Sequence, residues 1–295
     1  RAEAPPRQRY IEGMRVRIIL ATAVVALAIA GCATAPITVP PADAPGALPP
    51  IVDVFAEPRV VLPDGLGERE VPHVDGLLVE GSTIESTYGC MVRYEYYEPA
   101  PGTPAADRLD GLRAQGIAPG LVVIGHGFMR DLTAMRGWAA EWASRGVRSV
   151  VVSFCNSSWF NGRHDRNAED LVAVAHHVEP TDAPVVYAGF SAGGLSALLA
   201  ADADDRAVAY LGLDAVDSGG LASGVGRLET PALYLFGEPG ACNAENNMAD
   251  ALPPAALTIA LRVPYASHCD FENPYDPACA RLCGEPEPPE AATAI

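Results

Sequence analysis

Residues 189–194 read Gly-Phe-Ser-Ala-Gly-Gly and directly follow the apolar run "APVVYA". A serine hydroxyl is a weak nucleophile until a base takes its proton and a turn holds it clear of the chain. G-x-S-x-G between a buried strand and a helix supplies that turn. Gly189 and Gly193 leave no side chain to clash, and a helix starting at Ala192 aims free N–H groups at the place where an oxyanion would form. The five-residue match is weak by itself in a chain with 28 glycines. A strand-like run before it and a helical run after it make it specific, so Ser191 is the candidate nucleophile.

Such a nucleophile needs oxyanion donors, a base and an acid. "LVVIGHGF" ends in a glycine-bearing loop, and the backbone N–H of Phe128 would pair with that of Ala192 to make a two-donor oxyanion hole. His126 precedes the serine and reads as a histidine that shapes this loop by bonding backbone. The base must lie in a loop after the last strand, and His268, in "LRVPYASHCDFENP", is the histidine that fits. His73, His164, His176 and His177 all come before the elbow and read as surface or helix-face residues. Adjacent on a helix, His176 and His177 diverge instead of sharing a metal. Two acids end strands at the right edge: Asp214 closes "AVAYLGLD" and Glu238 closes "LYLFGE". Asp214 leads because Glu238 precedes Pro239 and would be held by the local turn; Asp217 and Asp270 are weaker alternatives. Phe128, Trp159 and Phe160 are candidates to line an acyl or aromatic pocket, while Phe190 reads as core packing.

The surrounding pattern must position these groups. Strand-like runs at 90–99, 120–128, 147–154, 183–190, 206–214, 231–238 and 256–263 alternate with helical runs at 131–146, 167–178 and 192–202. That alternation predicts an α/β fold, a doubly wound and mostly parallel sheet in a single domain. Asp131 is the expected N-cap of the first of those helices. No internal repeat is evident.

Composition narrows the function further. The 295 residues carry a formal charge of −17, which disfavours nucleic acid and anionic membrane surfaces as partners. Every basic residue is arginine; without lysine there is no Schiff-base lysine, no Walker lysine and no serine–lysine dyad. From Met14 the sequence runs through two arginines and an apolar stretch to "IAGC", as in a signal peptide ending in a lipobox. Cleavage before Cys32 and lipid attachment to its sulfur are the expectation, with the chain exported to the bacterial cell envelope and touching the membrane only through that anchor. The expected division is an upstream extension plus signal peptide (1–31), Cys32 and a Pro/Ala-rich tether (32–74), the folded domain (75–284) and a loose acidic tail (285–295). In an oxidising compartment Cys90, Cys155, Cys242, Cys269, Cys279 and Cys283 are expected to form three disulfides. A bridge from Cys269 to Cys242 or Cys279 would fix the loop bearing His268. No paired C-x-x-C motif points to zinc. The chemistry requires no metal or organic cofactor, and a monomer is expected.

Taken together, "GHGF", "GFSAGG", "GLDAVD" and "ASHCDF" resemble the α/β-hydrolase superfamily, and more narrowly its chlorophyllase-like and polyester-hydrolase or cutinase-like esterases. The resemblance spans roughly residues 75 to 284 and implies a serine esterase with Ser191, His268 and an acid. Chlorophyllase-like members carry the acid in a "GLDPVD"-like segment, which implies Asp214 here. In polyester hydrolases the acid follows the next strand, where this chain offers Glu238, and their usual "GHSMGG" elbow is replaced by "GFSAGG". Both departures point away from polyester cleavage. A polyester hydrolase or lipase, a peptidase or acyltransferase using the same groups, and an inactive ligand-binding lipoprotein are the competing expectations.

Overall fold

The computed structural model describes residues 60, 62, 65–158 and 161–284. Two antiparallel strands, β1 (Leu77–Glu85) and β2 (Met91–Pro99), open the fold and are followed by helix α1 (Pro104–Ala114). Then come β3 (Leu121–Gly125), α2 (Arg136–Ser144), β4 (Arg148–Ser153) and a small hairpin of β5 (Ser157–Ser158) and β6 (Asn161–Gly162). The chain continues as α3 (His164–Val178), β7 (Val185–Phe190), α4 (Ala192–Ala203), β8 (Ala207–Leu213) and a short α5 (Leu221–Gly224). It closes with β9 (Ala232–Phe236), β10 (Thr258–Arg262) and α6 (Pro277–Cys283).

Eight of these strands make one sheet in the order β1-β2-β4-β3-β7-β8-β9-β10. The β1–β2 and β2–β4 pairs are antiparallel; every other pair is parallel. β3, β4 and β7 are buried along their whole length, as strands covered on both faces must be. Val122 and Ile124 enter a core with Trp138 and Trp142 of α2, while Leu121 and Val123 enter a second core with Leu171 of α3 and Leu195 and Leu198 of α4. The molecule is thus a three-layer helix–sheet–helix sandwich, the doubly wound single domain expected.

Two features place the site. The chain runs from β3 to β4 on one side and later returns to β7 on the other, so the carboxyl ends of β3 and β7 flank the point where the winding reverses. Such a reversal is where open α/β sheets place their ligand sites. The helix expected over 131–146 begins instead as a 3-10 turn (Leu132–Met135), capped as anticipated by Asp131, which accepts from the Thr133 N–H at 2.8 Å. The folded body also reaches upstream of residue 75. Buried Arg136 pairs with Glu95 at 2.9 and 2.6 Å and donates to the carbonyls of Leu66, Gly67 and Glu70, while Val74 sits in the core. The signal-peptide region, Cys32, most of the tether and the tail fall outside the described residues.

Candidate active site

Ser191 stands between β7 and α4 with φ 55° and ψ −124°, a conformation L residues avoid and which the surroundings must enforce. They do so through backbone bonds. The Ser191 N–H donates to the Leu213 carbonyl at 3.0 Å, and its own carbonyl accepts from Gly194 at 2.9 Å and Val216 at 3.2 Å. The flanking glycines are needed for close approach: a Cβ on Gly189 would lie 2.2 Å from the Gly193 carbonyl oxygen, and one on Gly193 would lie 2.3 Å from that of His126. The elbow therefore seats directly on the end of β3.

Three side chains from three loops converge on it. His268 Nε2 lies 3.0 Å from Ser191 Oγ, and His268 Nδ1 lies 2.6 Å from Asp214 Oδ2. A carboxylate at that distance accepts a hydrogen bond from Nδ1–H, which leaves Nε2 as the acceptor facing the serine hydroxyl. Asp214 is fully buried and accepts two further bonds, from the Gly237 N–H at 2.8 Å and from Asn243 Nδ2 at 3.0 Å. These donors satisfy the buried carboxylate and point it at the imidazole. The Phe190 ring lies 4.6 Å from that of His268, tilted 37°, so the residue read as core packing also walls the imidazole. Such a constellation can accept the serine proton during attack on a carbonyl and deliver it to a leaving group.

The "GHGF" loop follows β3 as expected. His126 accepts the Phe154 N–H on Nε2 at 2.9 Å and presents Nδ1 to the Gly127 carbonyl at 2.7 Å. This bonding needs a neutral ring, and burial pushes its pKa down to about 4. His126 is thus the loop-shaping residue anticipated. Phe128 lies half-exposed beyond it, and Ala192 opens α4, where the first-turn amides lack helical partners.

Glu238 faces outward, accepting the Tyr265 N–H at 3.0 Å near Arg262, and Asp214 occupies the place beside His268. Asp217 caps the Ala222 N–H and Asp270 forms a capping box with Ser267. His73, His176 and His177 lie away from the serine–histidine contact; His164, read as a surface or helix-face residue, is buried instead, and desolvation lowers its pKa. Trp159 and Phe160 lie outside the described residues. The six cysteines pair as Cys90–Cys155, Cys242–Cys283 and Cys269–Cys279, so Cys269 takes the second of the partners considered. Sequence reasoning missed Asn243, whose only signal was its place after Cys242 in a polar turn. It also missed Arg130 and Glu272, a charge pair joining the loops that carry Phe128 and His268.

No family model matches the chain, and no curated protein does. Among many matching solved chains is one described as a PEG-bound complex of a novel cold-adapted esterase from an Arctic intertidal metagenomic library. The two are 16% identical with a TM-score of 0.52, over 75% of this chain and 94% of that one. The protein has the α/β-hydrolase fold. A shared fold of this kind hosts many chemistries, so function must be argued from the site.

Proposed function

We propose that this protein is a serine carboxylic-ester hydrolase working through Ser191, His268 and Asp214. The observation that carries the reading is the unbroken set of hydrogen bonds from Ser191 Oγ through the imidazole to a buried, fully bonded carboxylate. Ser191 Oγ attacks the ester carbonyl as its proton passes to His268 Nε2. The tetrahedral oxyanion is held by the amides of Phe128 and Ala192, and the imidazolium is stabilised by Asp214. As the ester C–O bond breaks, the imidazolium protonates the departing alcohol and leaves an acyl-serine. Water, deprotonated by the same imidazole, then releases the acid and restores the serine. The esterase character of the structural neighbour agrees with this reading.

Phe128, with Trp159 and Phe160, would line the acyl side. Export and lipid attachment at Cys32 remain part of the proposal, supported by the lipobox-like "IAGC" and by three disulfides, which persist in oxidising compartments. The protein is expected to act as a monomer, without metal or organic cofactor. The test is release of nitrophenol from acyl esters of graded chain length by the parent protein and by Ser191→Ala, alongside fluorophosphonate labelling. Labelling confined to Ser191, with hydrolysis lost in the variant, supports the esterase. A parent protein that labels but transfers acyl groups only to an added alcohol would be an acyltransferase. One that neither labels nor turns over would be a binding protein on this fold.

A further inference from the structure

The oxyanion loop and the histidine loop are joined by a charge pair that the hydrolytic steps do not use. Arg130 lies two residues past Phe128, and its N–H donates to the Gly127 carbonyl at 3.2 Å, closing a turn around Phe128. That turn includes Met129 at φ 57°, a strained conformation that surrounding contacts must hold. On its inner side a Cβ on Gly127 would lie 3.3 Å from Ser191 Cβ, so the turn abuts the nucleophile. On its outer side Met129 donates to the Ser157 carbonyl at 2.9 Å. Glu272 closes the 3-10 turn that begins at His268, and its N–H donates to the Cys269 carbonyl. The Glu272 side chain is fully buried and takes Arg130 in a two-pronged grip, Nε at 2.7 Å and Nη2 at 3.3 Å, while Arg130 Nη1 reaches Asp276 at 3.1 Å.

A buried, bidentate arginine–carboxylate pair is rarely the cheapest way to stabilise a fold, but its planar fork fixes two segments in one geometry. We propose that Arg130 and Glu272 are positioning residues: the pair locks the Phe128 turn to the His268 turn, so that oxyanion donor and base keep one spacing about Ser191. The inference rests on the esterase reading for its consequence and on geometry for its existence. Burial pushes the Glu272 carboxyl up to about 7, with Arg130 and His268 opposing that rise and Asp276 adding to it. The grip therefore loosens as pH falls below about 7.

The test compares the parent protein with Glu272→Gln and Arg130→Lys by hydrogen exchange over residues 127–130, by kcat and KM on a nitrophenyl ester, and by the pH profile of kcat. In Glu272→Gln, exchange of the 127–130 amides should quicken about tenfold or more, and kcat should fall about tenfold with KM changed less than about twofold. Its pH profile should lack the loss of kcat that the parent shows as Glu272 takes up a proton near pH 7. Arg130→Lys, which keeps the charge without the fork, should show the same loosening in milder form, and it decides the question if Glu272→Gln does not fold. Unchanged exchange with unchanged kcat would overturn the proposal. A parent protein inert toward esters would sink the esterase reading alone, because the exchange data would still decide whether the pair locks the two turns.

Discussion

At the scale of single residues, the choice between Asp214 and Glu238 turns on orientation. Both end strands at the same edge of the sheet, but Asp214 turns inward at φ 45° to meet His268, whereas Glu238 is half-exposed and bonded to the Tyr265 amide. Asp214→Asn should lower kcat by about 10⁴, because the amide favours the wrong imidazole tautomer. Glu238→Gln should stay within about twofold of the parent, a difference of under about 0.5 kcal/mol in barrier. Steady-state kinetics on one ester separates them, and a large loss in Glu238→Gln would reverse the assignment. Asn243→Ala removes a donor from the buried carboxylate of Asp214 and should cost about tenfold in kcat, the effect of one charge-assisted hydrogen bond.

At the scale of elements, the disulfides divide by what they hold. Cys269–Cys279 closes a span of 10 residues beside His268, while Cys90–Cys155 closes one of 65 near β2 and the hairpin. Loop-closure entropy assigns about 3 kcal/mol to the short span and about 4 kcal/mol to the long one. Stability and activity should therefore rank oppositely. Cys90→Ala/Cys155→Ala should lower the urea midpoint more, and Cys269→Ala/Cys279→Ala should lower kcat more, because only that bridge adjoins the base. Urea titration and kcat on both pairs measure this, and parallel losses would mean that the short bridge does nothing particular for the histidine loop.

Over the whole molecule, buried ionisable groups set how stability varies with pH. Burial raises Asp170 from 3.8 to about 6 and Glu272 from 4.5 to about 7. A buried acid with a raised pKa holds its proton more tightly in the folded state, so its contribution is full below the unfolded pKa and is lost as pH rises through the folded one. His126 has the opposite sense: lowered from 6.5 to about 4, it contributes fully above 6.5 and loses that contribution as pH falls toward 4. His164, whose pKa is also lowered by desolvation, has the same sense as His126. From about pH 5 to 7 the two carboxyls therefore pull Tm down as pH rises while the two imidazoles pull it up. Asp170→Asn combined with Glu272→Gln leaves the imidazoles in control, so Tm of that variant should rise with pH more steeply than the parent's. Calorimetric scans at pH 5, 6 and 7 check this, and a variant Tm that follows the parent's pH dependence would show that other groups dominate.

Most of the sandwich was legible in the sequence because its central strands and helices are written locally. Unbroken apolar runs mark β3, β4 and β7, and glycines at 189 and 193 admit an elbow that only small residues fit. Those features also singled out Ser191 and His268, since a strand–turn–helix and a late loop each need only neighbouring residues to be recognised. β1 escaped notice because it is an edge strand with most side chains exposed, so burial leaves little alternation in its sequence. Helices α1 and α6 went unread although each opens on a capping residue followed by proline, Thr103-Pro104 and Asp276-Pro277. Only tertiary structure decided which acid faces the imidazole, that Asn243 braces it, and that Arg130 grips Glu272. Those partners are 54, 29 and 142 residues apart. Local chemistry prescribes that a buried carboxylate must find donors, but which donors it finds depends on how separate loops are brought to one edge of the sheet.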